Sequence, residues 1–136
     1  MKYGSRIVFL LGLVAVAAWT VQAQTPAKVD YTKVLGPWSL EINAGDQYYY
    51  LTLVLKMDQG KFTGALSEQN GIFTNVPLTS AEFDGETLKF ECKITTPPDG
   101  AERVTKSEAK LVDNKLLGVI TIVEFGMSAT YAGTKK

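Results

Sequence analysis

From Gly36 onward apolar and polar positions alternate with period two, and turn residues break the alternation at short, regular intervals. That is the pattern of half-buried strands joined by tight turns. It predicts strands over Trp38–Ile42, Tyr48–Met57, Lys61–Glu68, Thr79–Phe83, Glu86–Thr95, Arg103–Val112, Leu116–Val123 and Met127–Thr134. Ile72–Leu78 is less regular, and Pro77 makes it an edge or a bend. Asn43-Ala44-Gly45-Asp46, Asp58-Gln59-Gly60, Asn70-Gly71, Asp84-Gly85, Pro97-Pro98-Asp99-Gly100 and Asp113-Asn114-Lys115 supply the turns. No stretch in this region has a helical period.

Eight or nine strands with such short connections make an antiparallel up-and-down meander. A long meander exposes unpaired edges unless it rolls up, so the expected fold is all-β, a closed barrel. Parity assigns the faces. Leu88, Phe90, Cys92 and Ile94 share one side of their strand, and Lys89, Glu91, Lys93 and Thr95 share the other. By the same rule Tyr49, Leu51, Leu53, Leu55 and Met57 lie on one side, Phe62, Gly64 and Leu66 face in, and so do Thr105, Ser107, Ala109 and Leu111. Leu116, Gly118, Ile120 and Ile122 point inward from the next strand, leaving Leu117, Val119 and Val123 outside. The small inward residues Gly64, Ser107, Ala109 and Gly118 either leave room for a ligand or accommodate Trp38, Phe62 and Phe90, and dense packing favours the second.

Ahead of the meander, residues 1–23 have the three parts of a secretory signal peptide: basic Lys2 and Arg6, the apolar run Ile7–Ala18, and small residues at Val21-Gln22-Ala23. The run is short for a membrane span, which needs ~20 apolar residues. The expectation is therefore export to the periplasm or medium, with no membrane span in the mature chain. The lone Cys92 is far from the cleavage site, so a lipoprotein is not expected. Residues 24–34 read as a linker or irregular entry, and 35–136 as a single β domain.

Composition narrows the chemistry. The 136 residues carry 14 basic and 14 acidic side chains, and removing the leader's two cations leaves a slight acidic excess. Such a balance offers no electrostatic footprint for nucleic acid. The chain has no histidine, which removes histidine-based triads and histidine-ligated metals, and one cysteine makes neither a disulfide nor a thiolate cluster. The acidic turns lack the ligand spacing of a calcium loop. Parity sends nearly every Asp and Glu outward or into turns, so no acid–base pair converges, and neither an enzyme nor a cofactor or metal is expected.

Gly36-Pro37-Trp38 opens the first strand, and Lys135-Lys136 follows Ala132-Gly133-Thr134 at the end of the last. In these features the chain resembles the lipocalin-like (calycin) barrels, whose first strand carries a Gly-x-Trp and whose last carries a basic residue over that indole. The layout, with its Gly60-Lys61-Phe62-Thr63-Gly64 hairpin, is similar also to avidin-type barrels and to short β domains of secreted bacterial proteins. The resemblance implies that Trp38 and Lys135 tie the first strand to the last, and that the barrel holds a small apolar molecule. Leu53, Phe62, Leu66, Phe90, Cys92, Ser107, Ala109 and Ile120 would line that site. The alternative is an interaction module contacting a second copy, a protein partner or an envelope component. Its candidate face is the outward apolar set Tyr48, Tyr50, Leu117, Val119 and Val123, since tyrosine suits a half-wet surface and a contiguous apolar patch marks a partner site.

Overall fold

The computed structural model describes residues 28–136. The expected signal peptide and the first residues of the expected linker lie outside the described residues. Nine strands follow: β1 (Gly36–Asn43), β2 (Tyr48–Asp58), β3 (Lys61–Glu68), β4 (Val76–Pro77), β5 (Ser80–Phe83), β6 (Thr87–Thr95), β7 (Glu102–Val112), β8 (Lys115–Ile122) and β9 (Met127–Lys135). They form one antiparallel sheet in the order β4-β3-β2-β1-β9-β8-β7-β6-β5, curled into an open half-barrel. Every neighbour is also a neighbour in sequence except β1 and β9, which join the two halves with Trp38 opposite Lys135 and Ile42 opposite Tyr131. Among the described residues the single helical element is a 3-10 turn at Tyr31–Lys33.

The hydrogen-bonded ladder ends at β4 and β5, which do not pair with each other. They are consecutive in the chain, and the step between them spans the two edges. Leu78 N donates to Gly64 O on β3 (2.9 Å), and Thr79 N donates to Glu91 O on β6 (2.8 Å). Pro77 has no N–H to extend the ladder on β3, so the segment leaves one edge and joins the other. The irregular Ile72–Leu78 stretch contracts to Val76–Pro77 because the Glu68 carboxylate holds the preceding loop. It accepts from Asn70 N (2.7 Å) and Ile72 N (3.2 Å), giving that backbone partners outside any ladder.

Two hairpins follow directly from turn chemistry. Gln59 and Gly60, and likewise Asp113 and Asn114, all have positive φ, which is the type I′ geometry that matches strand twist. The Asp84 carboxylate accepts from the N–H groups of Thr87 (2.7 Å) and Glu86 (2.9 Å), closing a third.

Parity holds along most of the sheet. Trp38, Leu40, Leu53, Leu66, Leu88, Phe90 and Cys92 are buried on the inner face, while Lys89, Lys93, Lys106, Glu108 and Lys110 are exposed on the outer. Met57 is the exception, 40% exposed although it shares a side with Leu53 and Leu55, because β2 overruns the core at its end. The last residues before β1 belong to the domain. Val34 is fully buried, and its carbonyl accepts from Trp38 Nε1 at 2.8 Å. The Tyr31 ring lies 5.0 Å from Phe62 and 6.4 Å from Phe83, bridging β3 and β5 where the sheet edges approach.

The inner face is crowded, and glycine relieves it. Gly118 on β8 sits between Tyr131 on β9 and Ala109 on β7. A Cβ there would lie 2.5 Å from both Ala109 Cβ and Glu108 O. Substituting Gly118→Ala is therefore expected to lower unfolding free energy by ~1–3 kcal/mol, the usual scale for overpacking a full core. The change should appear as a lower urea midpoint at unchanged slope. A midpoint equal to wild type would refute the crowding.

Candidate functional site

The eight side chains expected to line a ligand cavity all lie inside, and all of them are buried. Leu53, Phe62, Leu66, Phe90, Cys92, Ala109 and Ile120 belong to one hydrophobic cluster, packed with Trp38, Leu40 and Tyr131. Space left over β8 by Gly118 is taken by Tyr131. Its phenol crosses from β9 to Ser107 on β7, and the two hydroxyls lie 2.6 Å apart. Burial pushes the Tyr131 pKa up to about 12, with the Ser107 hydrogen bond opposing the rise. The Cys92 thiol lies 3.1 Å from Thr105 Oγ1, and burial pushes its pKa up too, so it rests as an inert thiol.

Trp38 and Lys135 do meet. Lys135 Nζ lies 5.7 Å from the indole centroid, within cation–π range, and donates to Thr32 O at 3.5 Å. The clamp thus fastens the 3-10 turn as well as joining β1 to β9.

The outward apolar set splits in two. Tyr50 on β2 is separated from Leu117 on β8 by Glu41 and Ala132, and Tyr48 from Val119 by Asn43 and Thr130. Three strand spacings amount to ~14 Å, so the tyrosines and the β8 residues are not one patch. Leu117, Val119 and Val123, each more than 40% exposed, form a stripe along β8 and into its turn. On one side runs the small, neutral column Ala132, Thr130 and Ser128 of β9. On the other is a charge ladder: Lys89 sits between Glu82 and Glu108, and Glu91 faces Lys106 with a 3.3 Å ion pair. That pair is exposed on both sides and contributes ~0.2–1 kcal/mol at most; its value is in fixing register.

Two shallow recesses open at the surface of the domain. One of about 360 Å³ lies beside Tyr31, Phe83 and Asp84. The other, about 380 Å³, runs over the charge ladder and reaches Val119 and Thr121. Among the described residues no three His, Cys, Asp or Glu side chains converge as a metal site, and no helix is long and apolar enough to cross a membrane.

The densest polar site was not picked out by motif. Arg103, at the start of β7, is only 7% exposed. Its Nη1 and Nη2 donate to the two oxygens of Asp99 (2.7 and 2.9 Å), Nε donates to Glu124 (2.8 Å), and Nη1 also reaches Thr96 Oγ1 (3.1 Å). Phe125 covers it, the guanidinium carbon lying 4.5 Å from the ring centroid. These contacts tie the β6–β7 loop to the β8–β9 turn. Hydrogen bonds from Arg103, then from Ala101 N, hold the Asp99 carboxyl well below the usual carboxylate range. The parity rule contained the signal, since Arg103 shares the inward side with Thr105 and Ser107, and a cation on a core face must be paired. No family model, curated protein or solved structure matches this chain.

Both shifts give pH dependence of definite sign. Tyr131 is raised, so its share of stability is complete below the ordinary tyrosine pKa and is lost as pH climbs toward about 12. Tyrosinate absorbance on alkaline titration should show one late-ionising tyrosine, absent in Tyr131→Phe. Asp99 is lowered, so its share is complete above the carboxylate range and is lost as pH falls through it. Asp99→Asn should flatten the acid limb of stability against pH; an unchanged limb would show that the Arg103 cluster does not act in this way.

Proposed function

We propose that this chain is an exported, non-catalytic interaction module that engages a protein partner through the outer face of β8 and its following turn. The observation that carries the reading is the two-sidedness of β8. Its inner residues Leu116 and Ile120 are buried in the core, yet Leu117, Val119 and Val123 spend apolar surface on solvent. A strand that needs only one apolar face has no folding reason for a second. The leader pattern of residues 1–23 supports export.

The runner-up, a binder of small apolar ligands in the manner implied by the lipocalin-like resemblance, has in its favour the Trp38–Lys135 clamp and the closing geometry of residues 76–83. On this finer reading Val76–Phe83 acts as a single seam strand that completes a lipocalin-like barrel, supported by its bonds to β3 and β6. Against an internal ligand stands the occupancy of the space itself, since Leu53, Phe90 and Cys92 are at most 1% exposed and pack on one another. The interaction reading is preferred for that reason.

The two readings separate experimentally. A photo-crosslinking residue at Leu117 or Val119, in the native host, should capture a discrete protein adduct that one at Ser39 does not. Val119→Lys should abolish the Leu117 adduct. Adducts no stronger than at Ser39, together with a small molecule retained in native mass spectrometry of the purified protein, would replace this reading with the ligand-binding one.

A further inference from the structure

We propose that the outer side of β8 docks on the outer side of β9 of a second copy of this chain, forming a two-fold dimer. The inference rests on the interaction reading above and names its partner. The β8 stripe has its counterpart beside it. Leu117, Val119 and Thr121 project from β8, and opposite them on β9 stand Ala132, Thr130 and Ser128, all small and all exposed. A raised column next to a low one is complementary to itself. A two-fold axis lying along the strands, midway between β8 and β9, sets each copy's β8 over the other's β9 with no shift along the strand. Leu117 then meets Ala132 of the second copy, Val119 meets Thr130, and Thr121 meets Ser128.

Charge obeys the same rotation. The next columns outward are β1, beside β9, and β7, beside β8. One row across the four strands reads Glu41, Ala132, Leu117, Lys110, and the next reads Asn43, Thr130, Val119, Glu108. The rotation reverses each row. Glu41 therefore comes opposite Lys110 of the second copy, and Asn43 opposite Glu108, each contact occurring twice. The ion pairs among the described residues join Arg103 to Asp99 and Glu124, and Lys106 to Glu91. Glu41, Glu108 and Lys110 are left unpaired within one chain, and the second copy supplies what they lack. Lys115, beside Asp113, is the like charge that approaches its own copy across the axis, and it marks that end of the contact. Lys136 is turned away, donating to Thr52 Oγ1 at 3.1 Å.

Curvature sets the strength. The outer side of a curled sheet is convex, so β8 and β9 touch while β1 and β7 stand back from the contact. Long side chains are needed to bridge that rim, and Glu41 and Lys110 are long. The touching columns are ~5 Å apart and ~20 Å long, which covers less than the ~800 Å² per partner of a standard interface. The dimer is therefore reversible, and its population rises with concentration.

The test is a concentration series by analytical ultracentrifugation on the chain as its host produces it, run to about 1 mM, the weak end of specific association. Wild type should pass from monomer to dimer and stop there. Glu41→Lys and Lys110→Glu should each weaken the dimer about tenfold or more, since one substitution spoils both symmetric pairs. An equimolar mixture of the two variants should dimerise as tightly as wild type, because each reversed charge then finds its complement in the other chain. Tyr50→Ser, on β2, should leave the series unchanged. A dimer indifferent to Val119→Lys, or a mixture no tighter than its components, would overturn the proposal. A strict monomer whose Leu117 crosslinks carry a different protein removes the second copy and leaves the interaction reading standing. A strict monomer with no Leu117 adduct removes both.

Discussion

The constraint on which the structure depends is geometric: the inner side of a tightly curled sheet has less room than the outer side. Side chains that diverge outside must converge inside, so the inner rows cannot all be large. The chain meets this by setting big residues beside residues with little or no side chain. Tyr131 lies next to Gly118 and Ala109, and Leu40 lies next to Gly133, where a Cβ would approach Leu40 Cδ2 to 2.7 Å. Glycine in a strand is ordinarily a weakness, since it packs nothing and costs backbone entropy. Here it is the condition for curvature. The buried hydroxyl pair of Tyr131 and Ser107 follows from how that limited volume is filled.

Filling the volume leaves few polar groups inside, and each is accounted for. Among the described residues no buried side-chain nitrogen or oxygen lacks a hydrogen-bond partner. Ser107 bonds Tyr131, Thr105 bonds the Cys92 carbonyl and thiol, and Arg103 has three oxygen-bearing side chains. Such satisfaction matters because an unpaired polar group costs far more in this setting than a made bond contributes. The two ends of the half-barrel are finished differently. One is closed by apolar stacking of Tyr31 on Phe62 and Phe83, the other by the charged cluster around Arg103. The polar end also carries Phe125, exposed on one side and stacked on Arg103 on the other.

Much of this was legible in the alternation of residue types, because a period of two is a direct consequence of the strand pleat. The inner and outer faces of β6 and β7 and the turns at Asp58-Gln59-Gly60 and Asp113-Asn114-Lys115 could be read before any coordinates, whereas the meeting of Trp38 with Lys135 was implied only by the lipocalin-like resemblance. Edges and neighbours across the curl could not. Parity says which face a side chain takes but not which strands stand three apart, so Tyr48 and Tyr50 looked combinable with Leu117 and Val119. Nor does alternation reveal that Val76–Phe83 divides between two edges, since that depends on one missing N–H at Pro77 and a carboxylate at Glu68. The small inner residues presented a true ambiguity between void and filler. Tyr131 resolves it, from a strand whose own pattern gave no hint of where its hydroxyl would end.

That resolution shifts the functional argument outward. In a half-barrel of this size a ligand needs the volume that large side chains would otherwise claim, and here the chain's own phenol and indole claim it. What is left unspent is on the outer face: an apolar stripe on β8, a ladder of alternating charges on β6 and β7, and a neutral, small column on β9. Ordinary solubility would favour polar residues at Leu117, Val119 and Val123, because apolar groups there add nothing to the core and raise the risk of association. Packing accounts for the apolar residues of the inner face, whereas those of the outer face on β8 add nothing to the core.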